Sequence, residues 1–339
     1  MKQTLFFFAV LSLVSLNAYA EFDNSDNVNV DGIFYYLDND NGQAQVVSMP
    51  EGRYSGDIFI PSFINHNNKK YSVTSIGEYA FCWCKNLLSV TIPSSVSSIA
   101  KAIFWGSNNL SVIKVVSGNP RYDSRNNCNA IIETESNCLV AGCKNTEIPN
   151  SVTAIGDDAF NECLELSSIT IPNSVTTIGK TVFKGCKDLV SVIIPESVTN
   201  IGYNPFWACT SLSSIKVAIG NPKYDSRNNC NAIIETENNK LISGCKNTII
   251  PNSVISIEHG AFCGCVGLTS IMIPNSVETI GTQAFMDCIT LTSANIPNSV
   301  KDIGTFAFNG CYKLTSVTIG NNVNIGKFAF GEYTKVMRR

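Results

Sequence analysis

Hydrophobic and polar positions repeat along this chain with a period close to 23 residues. Short segments such as IPNSV recur, and the steps between them are mostly 23 residues, with two steps of 33. The residues aligned at the first position of these segments are Ile92, Val115, Ile148, Ile171, Ile194, Val217, Ile250, Ile273, Ile296 and Ile319. Such a period is typical of solenoids, whose stacked coils share one core because no single coil can bury its own apolar side. We therefore predict a repeat solenoid.

The repeating unit reads LxSVxIPxSVxxIGxxAFxxC, and residues 166–187 are an example, with Val182 in place of the alanine. The SVxI part alternates outward serine or threonine with inward aliphatic residues, which predicts a short strand with one buried side, such as residues 168–171. Proline ends this strand because it has no N–H for a ladder, and Gly179 permits the turn that follows. The AFxxC part closes the coil. Its phenylalanines should form one column of stacked rings, which contains Phe81, Phe104, Phe160, Phe183, Phe206, Phe262, Phe285, Phe308 and Phe330.

Over residues 71–330 this unit resembles the leucine-rich repeat of the BspA-like surface proteins. The resemblance implies an α/β-type repeat solenoid of leucine-rich repeats with 23-residue coils, whose strands line a long concave sheet. The preceding stretch GIFYYLDNDNGQAQVVSM is similar to the β-rich N-terminal cap of that family. An adhesin-like or ligand-binding protein is also implied, with matrix and host-cell proteins as ligands and no shared active site.

The first twenty residues, MKQTLFFFAVLSLVSLNAYA, have the features of a secretory signal peptide. Lys2 precedes an apolar run that is too short to span a bilayer, and Ala18 and Ala20 suit a signal peptidase. We therefore divide the chain into a signal peptide (1–20), a β-rich N-terminal cap (21–70) and the solenoid (71–339). No later apolar run is long enough for a transmembrane helix. We expect an exported protein, extracellular or on the cell surface, with the periplasm as an alternative destination.

Two coils have 33 residues and share the identical segment YDSRNNCNAIIETE, at residues 122–135 and 224–237. Apolar runs on either side of a polar turn predict a β-hairpin insert in each coil, near residues 116–148 and 218–250. One hypothesis makes the hairpins a variant wall that was duplicated with its four-coil block. The other makes them two projecting elements for a repetitive partner. The binding residues would then be Tyr122, Asp123 and Arg125 in the first copy, and Tyr224, Asp225 and Arg227 in the second.

The outward positions of the strands predict a second candidate surface. One outward column is almost entirely serine, from Ser89 to Ser316, and we interpret it as structural and hydrogen-bonded. The other column varies in chemistry as a recognition surface would, and Ile193, Ile249 and Met272 flank Lys216 in an apolar patch. The candidate binding residues in this column are Lys114, Glu147, Ile193, Lys216, Ile249, Met272 and Asn295. We expect a protein or glycan ligand there, with host-derived molecules among the candidates.

Composition limits the remaining functions. Only 15% of the residues are charged and the formal net charge is −3, without the basic stripe that nucleic-acid binding needs. No GxSxG, HExxH, P-loop or GxGxxG motif is present, and acidic pairs such as Glu162 with Glu165 recur at no common cleft, so we interpret them as solvated surface carboxylates. We predict no enzyme and no cofactor. The alternative function is a structural protein that self-associates through the solenoid end, because the last coil stops short after Phe330.

The chain has 14 cysteines, which in an exported protein usually indicate disulfides. Seven of them lie three places after a repeat phenylalanine, however, where a small buried side chain is needed. We predict that this column consists of reduced thiols. Whether disulfides join Cys128 to Cys143 and Cys230 to Cys245, across the proposed hairpins, is left undecided by the sequence. The C-x-C pairs lack partner histidines, so no metal site is predicted.

Overall fold

The computed structural model describes residues 27–50 and 53–339, so the predicted signal peptide at residues 1–20 lies outside the described residues. In the described part, the chain forms 28 strands and two single-turn 3-10 helices, Arg125–Asn127 and Arg227–Asn229, with no α-helix. The coils stack in parallel along the chain. The predicted leucine-rich repeat solenoid is therefore confirmed, but its α/β type is wrong, because the described residues form strands and turns without an α-helix.

Parallel strands made by the SVxI residues line one side of the solenoid, and we call them the first ladder. Their inward side chains are buried and their outward side chains are exposed, as Val192 (2% exposed) and Ile193 (60% exposed) show. The strands are β4 (Ser55–Phe59), β7 (Asn86–Ile92), β9 (Val112–Val115), β15 (Ser191–Ile194), β17 (Ser214–Val217), β22 (Ser270–Met272), β24 (Ser293–Asn295), β26 (Ser316–Ile319) and β28 (Lys335–Arg338).

The first ladder is interrupted beside the inserts. No strand is present at residues 168–171, so that prediction is wrong for this coil. In the coil before it, the N–H of Glu147 donates to the carbonyl oxygen of Cys128 at 3.1 Å. Because this coil directs its backbone toward the insert, regular ladder pairing stops here and resumes at β15.

A second ladder of two-residue strands, which the sequence analysis did not predict, forms another side of the solenoid. Its strands contain the isoleucine before the repeat glycine, and Ile155, Ile178 and Ile201 pair in register from coil to coil. These isoleucines pack into the core. The strands are β8 (Ser98–Ile99), β13 (Ala154–Ile155), β14 (Thr177–Ile178), β16 (Asn200–Ile201), β21 (Ser256–Ile257), β23 (Thr279–Ile280), β25 (Asp302–Ile303) and β27 (Asn324–Ile325).

The inserts are built into the second ladder. In the first insert, β10 (Tyr122–Asp123), β11 (Ala130–Glu133) and β12 (Cys138–Gly142) pair antiparallel in that order, and β12 then pairs in parallel with β13. The second insert repeats this with β18 (Tyr224–Asp225), β19 (Ala232–Glu235) and β20 (Lys240–Gly244). Ile132 and Leu139, one from each arm of the first hairpin, are both fully buried. The hairpins therefore lie in the wall, and the hypothesis that they project from it is wrong.

Turns made by the AFxxC residues form the remaining side, called here the turn side. Its phenylalanines stack, with ring centroids 4.8 Å apart for Phe285 and Phe308 and 5.5 Å apart for Phe183 and Phe206. The prediction of a single column of nine rings is nevertheless wrong. Gly142 and Gly244 stand in the phenylalanine place in the insert coils, and a Cβ on Gly142 would lie 2.2 Å from the Phe160 ring. The column is thus divided into three stacks, and the buried apolar side chains form three clusters that meet at the inserts.

The N-terminal part adds strands before the regular coils. These are β1 (Val28–Val30), β2 (Ile33–Asp38), β3 (Gln43–Val46), β5 (Phe63–His66) and β6 (Lys69–Ile76). They form one sheet in the order β1-β2-β3-β6-β5, and the end of β6 pairs in parallel with β8. Since β4 also pairs in parallel with β7, both ladders begin within this N-terminal part.

All 14 cysteines are free, so neither of the two candidate disulfides, Cys128–Cys143 and Cys230–Cys245, forms. The Sγ of Cys143 instead lies 3.4 Å from the carbonyl oxygen of Asn129, to which the thiol donates. In the repeat cysteine column, burial raises the pKa of Cys163 to about 12 and that of Cys186 well above its ordinary value. These thiols stay protonated, as the predicted column of reduced cysteines requires.

Candidate functional site

The seven candidate residues of the variable outward column all lie on the solvent side of the first ladder. Strand pairing places Ile193 directly beside Lys216, and Met272 directly beside Asn295. Where a strand is present, as at Ile193 and Met272, the side chain is exposed because its two neighbours on the strand point into the core. Glu147 and Ile249 are exposed in the insert coils, where the first ladder has no strand. The exposed candidates are Lys114, Glu147, Ile193, Lys216, Ile249, Met272 and Asn295.

Four apolar side chains on successive coils are among the most exposed large apolar residues of the described chain. Ile193 is 60% exposed, Ile249 76% and Met272 74%, and Ile219 is 99% exposed just after β17. We call these four residues the apolar patch. The sequence analysis missed Ile219. Comparing the two 33-residue coils would have found it, because the second begins IGNP where the first has SGNP.

The duplicated architecture contains a polar version of the same surface. Positions 102 residues before Ile193, Ile219, Ile249 and Met272 are occupied by polar residues in the same framework, whereas Lys216 corresponds to another lysine, Lys114. The four polar counterparts are Thr91, Ser117, Glu147 and Thr170. The insert backbone, by contrast, has the same pairing in both copies. At these four outer positions the second block is therefore apolar where the first block is polar.

The cation next to the apolar patch is Lys216, which strand pairing places directly beside Ile193. In the described residues, its ammonium takes part in no ion pair or side-chain hydrogen bond. An unpaired cation beside an exposed aliphatic side chain suits a partner that has an acidic group within an apolar surface.

The candidate residues of the duplicated segments pack or form hydrogen bonds within the wall of the solenoid. Tyr122 and Tyr224 are each 4% exposed, so their rings pack into the wall and offer little surface to a partner. Arg125 pairs with Asp123 at 2.8 Å and also donates to Asn137 Oδ1 at 2.7 Å. The pair of Arg227 with Asp225 in the second copy has the same 2.8 Å distance. Because these polar groups already bind one another, the segments act as structural elements.

The serine column has a different role from the one predicted. Ser89 donates to Asp57 Oδ1 at 2.6 Å, but the later serines of that column form no side-chain hydrogen bond in the described chain. The hydrogen-bonded serines are those of the IPxSV segment. Ser197 and Ser276, for example, donate to the carbonyl oxygen of the valine one coil earlier, each at 2.7 Å.

The described residues contain no group of three or more histidine, cysteine or acidic side chains arranged to hold a metal ion. Glu162 was interpreted as a solvated carboxylate, but it is half-buried, and burial raises the pKa of its carboxyl. Glu165 is more exposed and pairs with Lys144 at 2.7 Å. In the described part, no helix is long and apolar enough to cross a membrane.

Together the two ladders, the turn side and the inserts define a leucine-rich repeat solenoid with an exposed outer ladder. The chain matches the family described as "BspA type Leucine rich repeat region (6 copies)" over residues 57–129, 132–240 and 237–337. It therefore belongs to the BspA-type leucine-rich repeat family, a family of cell surface proteins. Comparison with curated proteins found no match.

Two solved structures extend this comparison. A leucine rich cell surface protein from Faecalibacterium prausnitzii A2-165 is 27% identical, with a TM-score of 0.50 over 89% of this chain and 94% of that one. The pneumococcal vaccine antigen PcpA is 21% identical, with a TM-score of 0.51 over 92% of this chain and 88% of that one. The second similarity supports the fold alone.

Proposed function

We propose that this protein is an exported, adhesin-like module that binds a protein partner through the apolar patch of Ile193, Ile219, Ile249 and Met272. The observation that supports this most directly is the internal contrast between blocks: one framework has polar outer residues in the first block and apolar ones in the second. Exposing these aliphatic side chains has no structural benefit, since Thr91 and Ser117 occupy equivalent places in the first block.

The free energy gained by burying the apolar patch favours a protein ligand. Burying one aliphatic side chain of this size contributes about 1.5–3 kcal/mol, so four exposed ones on successive coils can form the apolar centre of an interface. Lys216 would pair with an acidic group of the partner and fix its orientation. Host and matrix proteins are the ligand class that the family suggests.

The test exchanges the two versions of the surface. A variant with Ile193→Thr, Ile219→Ser, Ile249→Glu and Met272→Thr carries the residues that the first block already has, so the framework should accept them. Binding of residues 21–339 to immobilised fibronectin, laminin and collagen is measured by surface plasmon resonance. We expect saturable binding by the natural chain and at least tenfold weaker binding by the exchanged variant. This corresponds to a loss of about 1.4 kcal/mol or more in the free energy of binding.

A matched control keeps the number of changes the same. The variant with Thr91→Ala, Ser117→Ala, Glu147→Ala and Thr170→Ala alters the corresponding surface of the first block and should bind like the natural chain. Equal binding by the exchanged variant and the natural chain would refute the apolar patch as the binding surface. Export is tested separately, because the N-terminal residue of the secreted protein should be close to Glu21.

Self-association through the solenoid end is a second candidate, supported by the exposure of the last coil. In the described structure, β28 pairs only with β26, and its Val336 and Met337 are 37% and 39% exposed. Phe328 and Tyr333 near them are 57% and 67% exposed. An unpaired strand edge with apolar neighbours can add a strand from another chain. Sedimentation equilibrium should then show a mass that rises with concentration, and Val336→Lys should abolish the rise.

A further inference from the structure

The turn side carries all three tryptophans of the chain, Trp83, Trp105 and Trp207. Trp83 and Tyr79 pack against Trp105, with ring centroids 5.9 Å and 5.7 Å from it. Trp105 and Trp207 occupy equivalent positions in the two four-coil blocks, 102 residues apart. We call Tyr79, the three tryptophans, Asn161 and Lys184 the tryptophan surface. It lies on a different side of the solenoid from the apolar patch.

A lysine lies between the two equivalent indole rings. The Nζ of Lys184 is 4.3 Å from the ring centroid of Trp207 and 5.9 Å from that of Trp105, so the two centroids are at most about 10 Å apart. Among the described residues, Lys184 Nζ forms no ion pair and no hydrogen bond. Aromatic faces hold an ammonium in place without using its three hydrogen-bond donors. Lys184 acts electrostatically on the nearby Glu162 carboxyl but forms no ion pair with it, so its three hydrogen-bond donors are available to an anionic ligand.

Two further polar atoms of the surface lack partners. The Nε1 of Trp105 and the Oδ1 of Asn161 are buried and without a hydrogen-bond partner in the described chain. Both residues line one small cleft of about 20 Å³, and Asn161 uses its Nδ2 to donate to Asp158 at 2.9 Å. Trp105 needs an acceptor and Asn161 needs a donor. A hydroxyl group supplies both, and a cleft of this size holds one.

The ring positions are set by glycines of the following coils. A Cβ on Gly106 would lie 2.6 Å from the Trp83 ring, and one on Gly264 would lie 2.9 Å from the Trp207 ring. Each indole therefore rests on backbone, where no side chain separates it from the wall. Because Trp83 and Trp207 are also partly exposed, these rings offer preformed stacking surfaces at little entropic cost.

We propose that the tryptophan surface binds an acidic polysaccharide. Its sugar rings stack on the indoles, a sugar hydroxyl enters the cleft to meet Trp105 and Asn161, and a carboxylate or sulfate group pairs with Lys184. A nucleic acid also combines rings with anions, but it fits less well, because phosphate-backbone binding needs a basic stripe that this chain lacks.

The three tryptophans make the test specific, because intrinsic fluorescence reports only on this surface. Residues 21–339 are titrated with polygalacturonate, chondroitin sulfate and neutral dextran, and acrylamide quenching is measured at each step. We expect a saturable emission change and reduced quenching with at least one acidic polysaccharide, and neither effect with dextran. If both acidic polysaccharides leave emission and quenching unchanged, the proposal fails, and this result needs no variant to fold.

Variants then test the named groups. Lys184→Met keeps the aliphatic stem and should weaken binding by about tenfold, whereas Lys184→Arg should retain it, because the donated hydrogen bonds are charge-assisted. Equal binding by the Met and Arg variants, at unchanged melting temperature, would overturn the role of Lys184 and with it the acidic ligand. The exchanged variant of the apolar patch should bind the polysaccharide normally, so the two proposals fail independently.

Discussion

The Sγ of Cys186 lies 3.2 Å from the carbonyl oxygen of Phe160, one coil earlier, and its thiol donates to that oxygen. The same contact joins Cys209 to Phe183 at 3.0 Å and Cys311 to Phe285 at 3.1 Å. The repeat cysteine therefore fills a small buried space and gives a second donor to a carbonyl oxygen that already accepts a backbone N–H, such as that of Cys163 for Phe160. Burial supports this role, because a thiol whose pKa is raised remains a donor.

Removing this donor should destabilise the solenoid. Cys186→Ala removes one of the two donors to the Phe160 carbonyl oxygen, the other being the N–H of Cys163 at 3.0 Å, and we expect a loss of about 0.5–1.5 kcal/mol in the free energy of unfolding. Cys186→Ser should lose less, because Ser107 already occupies the equivalent place and donates to the Phe81 carbonyl oxygen. Urea unfolding of both variants gives the comparison. Equal losses would show that the hydrogen bond contributes nothing beyond packing.

The free thiols predict the outcome of alkylation. When the protein is unfolded without a reductant and treated with iodoacetamide, all 14 cysteines should react, because the structure contains no disulfide among them. The folded protein should react far more slowly, since burial raises the pKa of thiols such as Cys84, to about 11. Mass spectrometry counts the modified sites. Protection of Cys128 together with Cys143 in the unfolded sample would contradict the structure.

The glycines that divide the phenylalanine column should not tolerate a methyl group. Gly142→Ala places its Cβ 2.2 Å from the Phe160 ring, and Gly244→Ala does the same against Phe262. Overpacking of this kind costs about 1–3 kcal/mol. Gly320→Ala is the matched control, because its nearest neighbour, Val323, would be 3.5 Å away. In thermal unfolding, the control should have a higher melting temperature than both insert variants. An unchanged melting temperature for Gly142→Ala would show that the Phe160 ring can move.

Asp287 predicts a specific dependence of stability on pH. Burial raises the pKa of its carboxyl above the ordinary value, so the folded chain holds the proton more tightly than the unfolded chain. Its contribution to stability is therefore full below the unfolded pKa and falls as the pH rises through the folded pKa. The titratable neighbours Cys263 and Tyr312 remain neutral in this range, as their own pKa values are also raised.

Asp287→Asn removes this pH dependence, because the amide stays neutral. The variant should melt at a higher temperature than the natural chain at pH 7, and the difference should vanish near pH 3, where both side chains are uncharged. Asp188→Asn, at an exposed carboxylate, is the control and should show no such trend. A difference in melting temperature that stays constant from pH 3 to pH 7 would exclude the buried charge as its cause.

Much of the fold could be predicted because its pattern is local and repeated. Within one coil, the alternation around Val192 and Ile193 decides which side chain is buried, and proline marks where the strand ends. The same alternation placed all seven candidates of the variable column on the solvent side. The second ladder escaped prediction because two residues such as Thr177 and Ile178 are too few to show a period.

The residue order alone determined the coil length, the buried columns of phenylalanine and cysteine and the outward column. The reason is that apolar positions repeated every 23 residues can be buried together only when the coils stack. Only the tertiary structure decided where the inserts go, because β12 pairs with β13 through contacts that no local pattern encodes. It also brought Trp105, Asn161 and Lys184 together. They come from separate coils, and the distances between them depend on how those coils stack around the insert.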